Sequence, residues 1–282
     1  MSVHEIKIIE WNINQATNTF GYNSIPMFVL KELIEEQKAD IFVITEFCRG
    51  KDFDVFVTVL DRNNYGYAVT NNSEYLGWGK KHHNQNDILI SWNKSKCKLV
   101  EDTVINNIVT KGDNNKPNFL CLDLEIFKEI VSIAGVRITV QTNDSDRKEQ
   151  MKRVFEIIEE KENVVIAGDF NNKKRSYTGE WSIKVLMDMA KKNKYNLLTP
   201  SGQSLYQDKV YKVDNEIADD HFLTKGITIE EYQYDRTFTD RYASFYPFGH
   251  NFQGVVENII AWSIVDGSGV PDHAMLIGTM KI

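Results

Sequence analysis

Cysteine is scarce in this chain: Cys48, Cys97 and Cys121 are odd in number, far apart and without a Cys-x-x-Cys pair. That usage argues against a disulfide framework and a structural zinc site, and sets the expected compartment as reducing, that is, cytoplasmic. Long apolar runs are lacking too. None approaches the ~18 residues of a membrane span, and no basic stretch followed by an apolar one precedes the first strand. Neither a membrane-bound nor a secreted role is expected. The chain has no Pro/Gly/Ser-rich linker, internal repeat or low-complexity tract, so its 282 residues, 42% hydrophobic and 11% aromatic, read as one domain over 1–282 with a large core. Nor is there an excess of positive charge. With 33 basic against 40 acidic residues the net charge is −7, and the surface as a whole does not attract a polyanion.

What the chain does have is a series of apolar runs that end in acids and amides. Val164-Val165-Ile166-Ala167-Gly168 reads as a buried strand ending at Asp169, with Phe170 and Asn171 following. A strand covered on both faces cannot carry charge inside, so its carboxyl end is the first place to present a carboxylate. Asp169 and Asn171, two apart, can share one side. Ile6 to Trp11 leads likewise to Asn12 and Asn14, and Asp40 to Thr45 leads to Glu46. Near the C-terminus Asp272-His273 precedes the apolar Ala274 to Ile277, and Asp219 and Asp220 stand inside the strand-like stretch Glu216 to Thr224. Each has an ordinary explanation alone: Asn12 a turn amide, Glu46 a surface acid, Asp220 half of a salt bridge, His273 a satisfied core histidine, Asp169 and Asn171 a capped turn.

The ordered set Trp11-Asn12-Ile13-Asn14, Thr45-Glu46, Gly168-Asp169-Phe170-Asn171, Asp220-His221-Phe222-Leu223 and Asp272-His273 resembles the endonuclease/exonuclease/phosphatase family over nearly the whole chain. The resemblance implies an α/β fold of the α+β type: a four-layer α/β sandwich of two packed mixed β-sheets flanked by helices. It implies a divalent-metal-dependent phosphoesterase, a nuclease acting on DNA or RNA, or a phosphatase or phosphodiesterase of a small phosphorylated molecule or lipid head group. A binding module that keeps the scaffold without catalysis is the remaining alternative. Phosphate-ester hydrolysis needs a hard cation, an in-line water and stabilised leaving-group charge. Mg2+ suits that task with one or two protein carboxylates, and Mn2+ is a substitute. By resemblance, Glu46 is the chief metal ligand with Asn12 and Asp272 nearby. Asp169 orients or deprotonates the attacking water, Asn171 holds the phosphate or that water, and His273 contacts the phosphate. Asp220 fixes the His273 tautomer.

The pattern departs from the family at three positions. Arg137 stands where many relatives have a histidine, Asn14 where many have an acid, and Pro271 where many have serine. An arginine stays protonated and can grip phosphate with two donors, so Arg137 suits a phosphate clamp but not an acid or base. The other reading is a strand-edge arginine facing water. Lys173, opening Lys173-Lys174-Arg175 just after Asn171, would add cations beside the phosphate, unless the run is simply solvated. Lys80-Lys81-His82-His83 reads as a solvated loop.

The layout alternates. A helix from Ser24 to about Gln37 between two strands is a βαβ signature. Serial strands follow at Tyr67–Thr70, Ile88–Trp92, Lys98–Ile105, Phe119–Ile126, Ile130–Ala134 and Val136–Gln141, suggesting antiparallel pairing. Helices capped at Asp144 or Ser145 and running to about Lys161, and from about Glu180 to Asn193, complete the pattern. Tyr232 to Phe252, with eight aromatic rings, Arg236 and Arg241, reads as a long loop shaping a pocket. Expected partners are a nucleic acid or a small phosphorylated substrate, with no membrane, and the chain is expected to be a monomer.

Overall fold

The structure is a computed structural model that describes residues 4–14, 27–47, 49, 53–70, 87–107, 118–139, 143–172, 181–204, 218–242, 271 and 273–282. Its elements in chain order begin with β1 (Glu5–Asn12), α1 (Phe28–Leu30) running into a π-helical turn Lys31–Glu36, β2 (Ile41–Phe47), α2 (Phe53–Arg62), β3 (Tyr65–Val69) and β4 (Asp87–Asn93). Then come β5 (Cys97–Leu99), β6 (Ile105–Asn107), β7 (Asn118–Ile126), β8 (Glu129–Arg137), α3 (Asp144–Ile157), β9 (Val164–Asp169) and α4 (Ile183–Lys192). The series closes with β10 (Asn196–Leu198), β11 (Asp220–Lys225), β12 (Thr228–Asp235), α5 (Phe238–Arg241) and β13 (Met275–Lys281).

These strands form two mixed sheets. The first has the order β12-β13-β1-β2-β4-β3, and the second β10-β11-β9-β8-β7-β5 with β6 also on β7. Parallel pairing occurs at β1/β2 and at β8/β9, each pair bridged by a helical segment, as in a βαβ unit. Side-chain alternation builds the layers. Ile6 and Ile8 of β1, Ile41 and Val43 of β2, Val131 and Ile133 of β8, and Val165 and Ala167 of β9 meet in one cluster between the sheets. Their alternate neighbours pack outward: Ile9, Trp11, Phe42 and Ile44 on α1 and α2, and Ala134, Val136, Val164 and Ile166 on α3 and α4. Four layers result, the architecture that the resemblance implied.

Several boundaries differ from the sequence reading. The run Ile130–Ala134 and the start of the run Val136–Gln141 are one strand, β8, which ends at Arg137; residues 140 and 141 lie outside the described residues. Gly135 does not break it; a Cβ there would lie 2.5 Å from Ile88 Cγ2 and 2.9 Å from Val43 Cγ1, so glycine permits the sheets to approach. The run Lys98–Ile105 is instead two short strands, β5 and β6, with a turn between. The third helix is capped by Asn143, whose side chain accepts from the Asp146 N–H, and it stops at Ile157 rather than Lys161. Tyr232 to Tyr242 is not loop. Tyr232 and Tyr234 belong to β12, and Phe238 on α5 is fully buried with its ring 4.6 Å from Trp11. The remainder of that aromatic stretch, residues 243–252, lies outside the described residues, as do Ser24 and Pro26, Lys80 to His83, and Lys173 to Arg175. No helix among the described residues is long and apolar enough to cross a membrane.

Candidate active site

Alternation that fills the core also aims the polar residues. Glu10 and Asn12 continue the Ile6, Ile8 face of β1; Asp169 continues Val165 and Ala167 on β9; Arg137 continues Val131 and Ile133 on β8; Asp220 precedes Phe222 on β11. All five face the space between the sheets, at the rim where β1, β2, β8 and β9 end and β11 begins. Glu46 would by the same count face the helices, next to Ile44. A register shift between Ile44 and Phe47, with Glu46 at φ 51°, turns it inward instead. Asn14 (φ 55°) and Asn171 (φ 48°) share this left-handed backbone. For asparagine it is a common conformation, whereas for glutamate it costs energy that the surrounding contacts must offset.

Three side-chain to side-chain contacts at the rim cross from one sheet to the other, and the Tyr234 hydroxyl on β12 also donates to the Asp220 carbonyl at 2.7 Å. The Asn12 side-chain amide donates to Asp169 Oδ2 at 3.0 Å. Arg137 Nε donates to Glu46 Oε1 at 2.8 Å, and Nη2 binds the same oxygen. His273 Nδ1 lies 2.7 Å from Asp220 Oδ2. The first sheet holds His273 through the Trp11 indole, which donates to its carbonyl at 3.0 Å. Asn171 donates to both Asp169 oxygens, through its backbone N–H to Oδ1 and its side chain to Oδ2, each at 2.9 Å. Arg137 Nε is 3.7 Å from Asp169 Oδ2. The structure therefore brings Asn12, Glu46, Arg137, Asp169, Asn171, Asp220 and His273 to one rim. Arg137 is no water-facing strand-edge residue; its side chain is 11% exposed. Asp272 and Lys173 lie outside the described residues. Among those described, no group of three or more His, Cys, Asp and Glu is poised to hold a metal.

Glu10 belongs to this cluster and was missed from sequence. It is completely buried, Thr45 Oγ1 donates to its Oε1 at 3.0 Å, and its Oε2 has no hydrogen-bond partner. The signal was available: an acid inside an apolar run, two residues before Asn12, must lie on Asn12's face. Burial, with Asp220 and Asp169 adding repulsion, raises its pKa well above the usual carboxylate value. A second layer supports the rim. Buried His221 lies between Thr199 Oγ1 at 2.9 Å and Asn172 Oδ1 at 3.1 Å, which fixes the residue following Asn171.

Burial also pushes the Asp169 carboxyl up to about 6; Asp220 and Glu46 act in the same sense, while His273 and Arg137 oppose it. Between its ordinary value of 3.8 and about 6 the folded protein binds the Asp169 proton more tightly than the unfolded chain. Stability from this group is therefore full at low pH and is lost as pH rises through about 6, by at most ~3 kcal/mol. In EDTA, the unfolding free energy of the wild type minus that of Asp169→Asn is expected to fall between about pH 4 and about pH 7 in urea titrations. A flat or rising difference would show that burial does not hold the proton there.

No protein-family model matches the sequence, and no curated protein matches it either. Solved structures do match in fold. An endonuclease/exonuclease/phosphatase from Beutenbergia cavernae superposes with TM-score 0.65 at 12% identity, covering 99% of this chain and 72% of that one. TDP2 of D. rerio, complexed with a single-strand DNA product, gives TM-score 0.61 at 13% identity with 98% of both chains covered. ANGEL2, a 2',3'-cyclic phosphatase, gives 0.61 at 13% identity, covering 99% of this chain and 95% of that one. The chain has the endonuclease/exonuclease/phosphatase fold.

Proposed function

We propose that this protein is a Mg2+-dependent phosphoesterase that hydrolyses phosphodiester bonds, acting as a nuclease on DNA or RNA. One observation carries the reading: a buried Asp169, braced by two asparagines, shares a rim with an imidazole backed by Asp220. The donor set fits a hard divalent cation. Glu10, Glu46, Asp169 and Asp220 gather around one guanidinium and one imidazole, and Glu46 Oε2 and Asp220 Oδ1 are buried without hydrogen-bond partners. Mg2+ needs only one or two protein carboxylates, so Glu46 with Asn12 and Asp272 beside it would hold the ion. When bound, it would polarise a phosphate oxygen, and Mn2+ would replace it.

The remaining work falls to this chain's own groups. Asp169 orients the attacking water and accepts its proton, because Asn12 and Asn171 leave its carboxylate little rotational freedom. Asp220 accepts from His273 Nδ1–H, which fixes the tautomer, favours the imidazolium and leaves Nε2 to meet the phosphate. Lys173, which follows Asn171 closely in sequence, would add a cation for the phosphate, and Arg137 adds positive charge at the rim. A second reading, hydrolysis of a small phosphorylated molecule, is favoured by the net charge of −7, which gives a polyanion no general attraction. The fold's hosting of ANGEL2, a 2',3'-cyclic phosphatase, makes such substrates a natural arm of the test.

The purified chain should be offered plasmid DNA, single-stranded oligonucleotides, RNA and inositol phosphates with Mg2+ or Mn2+, and again with EDTA. Metal-dependent cleavage of a nucleic acid is expected. Turnover of inositol phosphates alone would move the assignment to the second reading, and no turnover of any of them would remove hydrolysis from the account.

A further inference from the structure

Arg137 places a positive charge directly on the proposed metal ligand. Two of its nitrogens bind a single oxygen, Glu46 Oε1, and its Nε is 3.7 Å from Asp169 Oδ2. All three side chains are largely out of solvent, at 11%, 6% and 2% exposure, so the attraction is weakly screened. The other Glu46 oxygen, Oε2, is buried and without a hydrogen-bond partner. The carboxylate is thus divided: one oxygen is held by a fixed organic cation and the other is left for a ligand of positive charge.

We propose that Arg137 is a tethered cation that competes with the divalent ion for Glu46, keeping the carboxylate in place when no metal is bound and weakening the metal when it is. The inference rests on the reading of Glu46 as the metal ligand. Its physical basis is sign and distance. A divalent ion added beside Glu46 must either displace the guanidinium from Oε1 or share the carboxylate with it, and like charges brought together at a buried site repel. Arginine suits this role because it cannot lose its proton to relieve the repulsion, as a histidine at the same position could. The same contact should make the metal-free fold less dependent on an ion, since Glu46 is not then a buried charge alone. Arg137 is accordingly a positioning residue, and the protein is expected to need more free Mg2+ than one with a neutral side chain there.

Mn2+ alone is the probe, measured by calorimetric or spin-resonance titration of the full chain, with thermal unfolding as a readout independent of activity. Arg137→Gln and Arg137→Ala are expected to bind Mn2+ about tenfold or more tightly than the wild type, whereas Arg137→Lys, which keeps the charge, stays near it. Without metal the two neutral variants should melt below the wild type, and Mn2+ should raise their melting temperatures by more. The glutamine variant serves if the alanine variant fails to fold. Unchanged or weaker Mn2+ binding in both neutral variants, with Glu46→Gln losing affinity, would overturn the competition while leaving Glu46 as ligand. Wild-type affinity in Glu46→Gln would instead remove Glu46 as ligand, and the competition with it.

Discussion

Asp169→Asn is expected to lower the proposed phosphodiester hydrolysis by about 10³-fold or more, with little change in the concentration of substrate that half-saturates the protein. The amide has nearly the same shape and can keep the contact with Asn12 or Asn171 through its carbonyl oxygen, but it cannot take a proton from water. The loss therefore falls on the chemical step and not on binding, equivalent to ~4 kcal/mol of transition-state stabilisation. A compensating drop in half-saturation would point to ground-state strain relieved by the change. Single-turnover kinetics separates the two. A residual rate within tenfold of the wild type would show that Asp169 is only a scaffold for its neighbours, and another base would have to be sought.

Gly168→Ala is expected to destabilise the fold by about 4 kcal/mol and to impair the site in whatever remains folded. A Cβ at Gly168 would run into the backbone carbonyl oxygen of Val136, and lie 2.8 Å from its carbonyl carbon and 2.9 Å from its Cγ1. The first two are main-chain atoms of the adjacent parallel strand, paired in register with Gly168, and no rotamer change can relieve those contacts. Either β9 moves away from β8 or the bonds on both sides of it break. Asp169 and Arg137 are the next residues along those strands, so the displacement passes directly to them. Urea denaturation with circular dichroism measures the first effect and residual turnover per folded molecule the second. A variant within about 1 kcal/mol of the wild type would mean that the strands separate at little cost.

The fold was legible wherever hydrophobic alternation was uninterrupted. The runs ending at Asn12, Glu46 and Asp169 became β1, β2 and β9, because a strand that packs on both faces repeats its apolar side chains without a break. Short elements were missed. The strand β10 and the helix α5 were not foreseen, since a three-residue strand or four-residue helix has too few side chains to show a period; β12, an edge strand of eight residues with a single buried side chain, shows no apolar alternation, and the ten-residue α2 was not foreseen either. Gly135 misled in the opposite direction: it resembled a break between strands, while its purpose is the close approach of the second sheet, a long-range fact. At the rim, residue types could be read but not their partners. That Arg137 meets Glu46 across 91 residues of sequence depends on a bulge in β2 that no local pattern announces. Glu10 shares the face of β1 that carries Asn12, but an acid inside an apolar run reveals its burial only once the second sheet covers it.

Three side-chain pairs at the rim span the seam between the sheets, Tyr234 adds a hydrogen bond to the Asp220 carbonyl, and beneath them the two halves meet largely through apolar side chains that have no preferred register of their own. A slip of one sheet along the other by even an ångström would part every pair at once, leaving each half chemically incomplete though individually well folded. If the proposed hydrolysis takes place at this rim, its rate is a sensitive gauge of how the interior is filled. Volume changes at Val43, Ile88 or Leu122, remote from any phosphate, would be felt at the rim as misalignment before they were felt as unfolding.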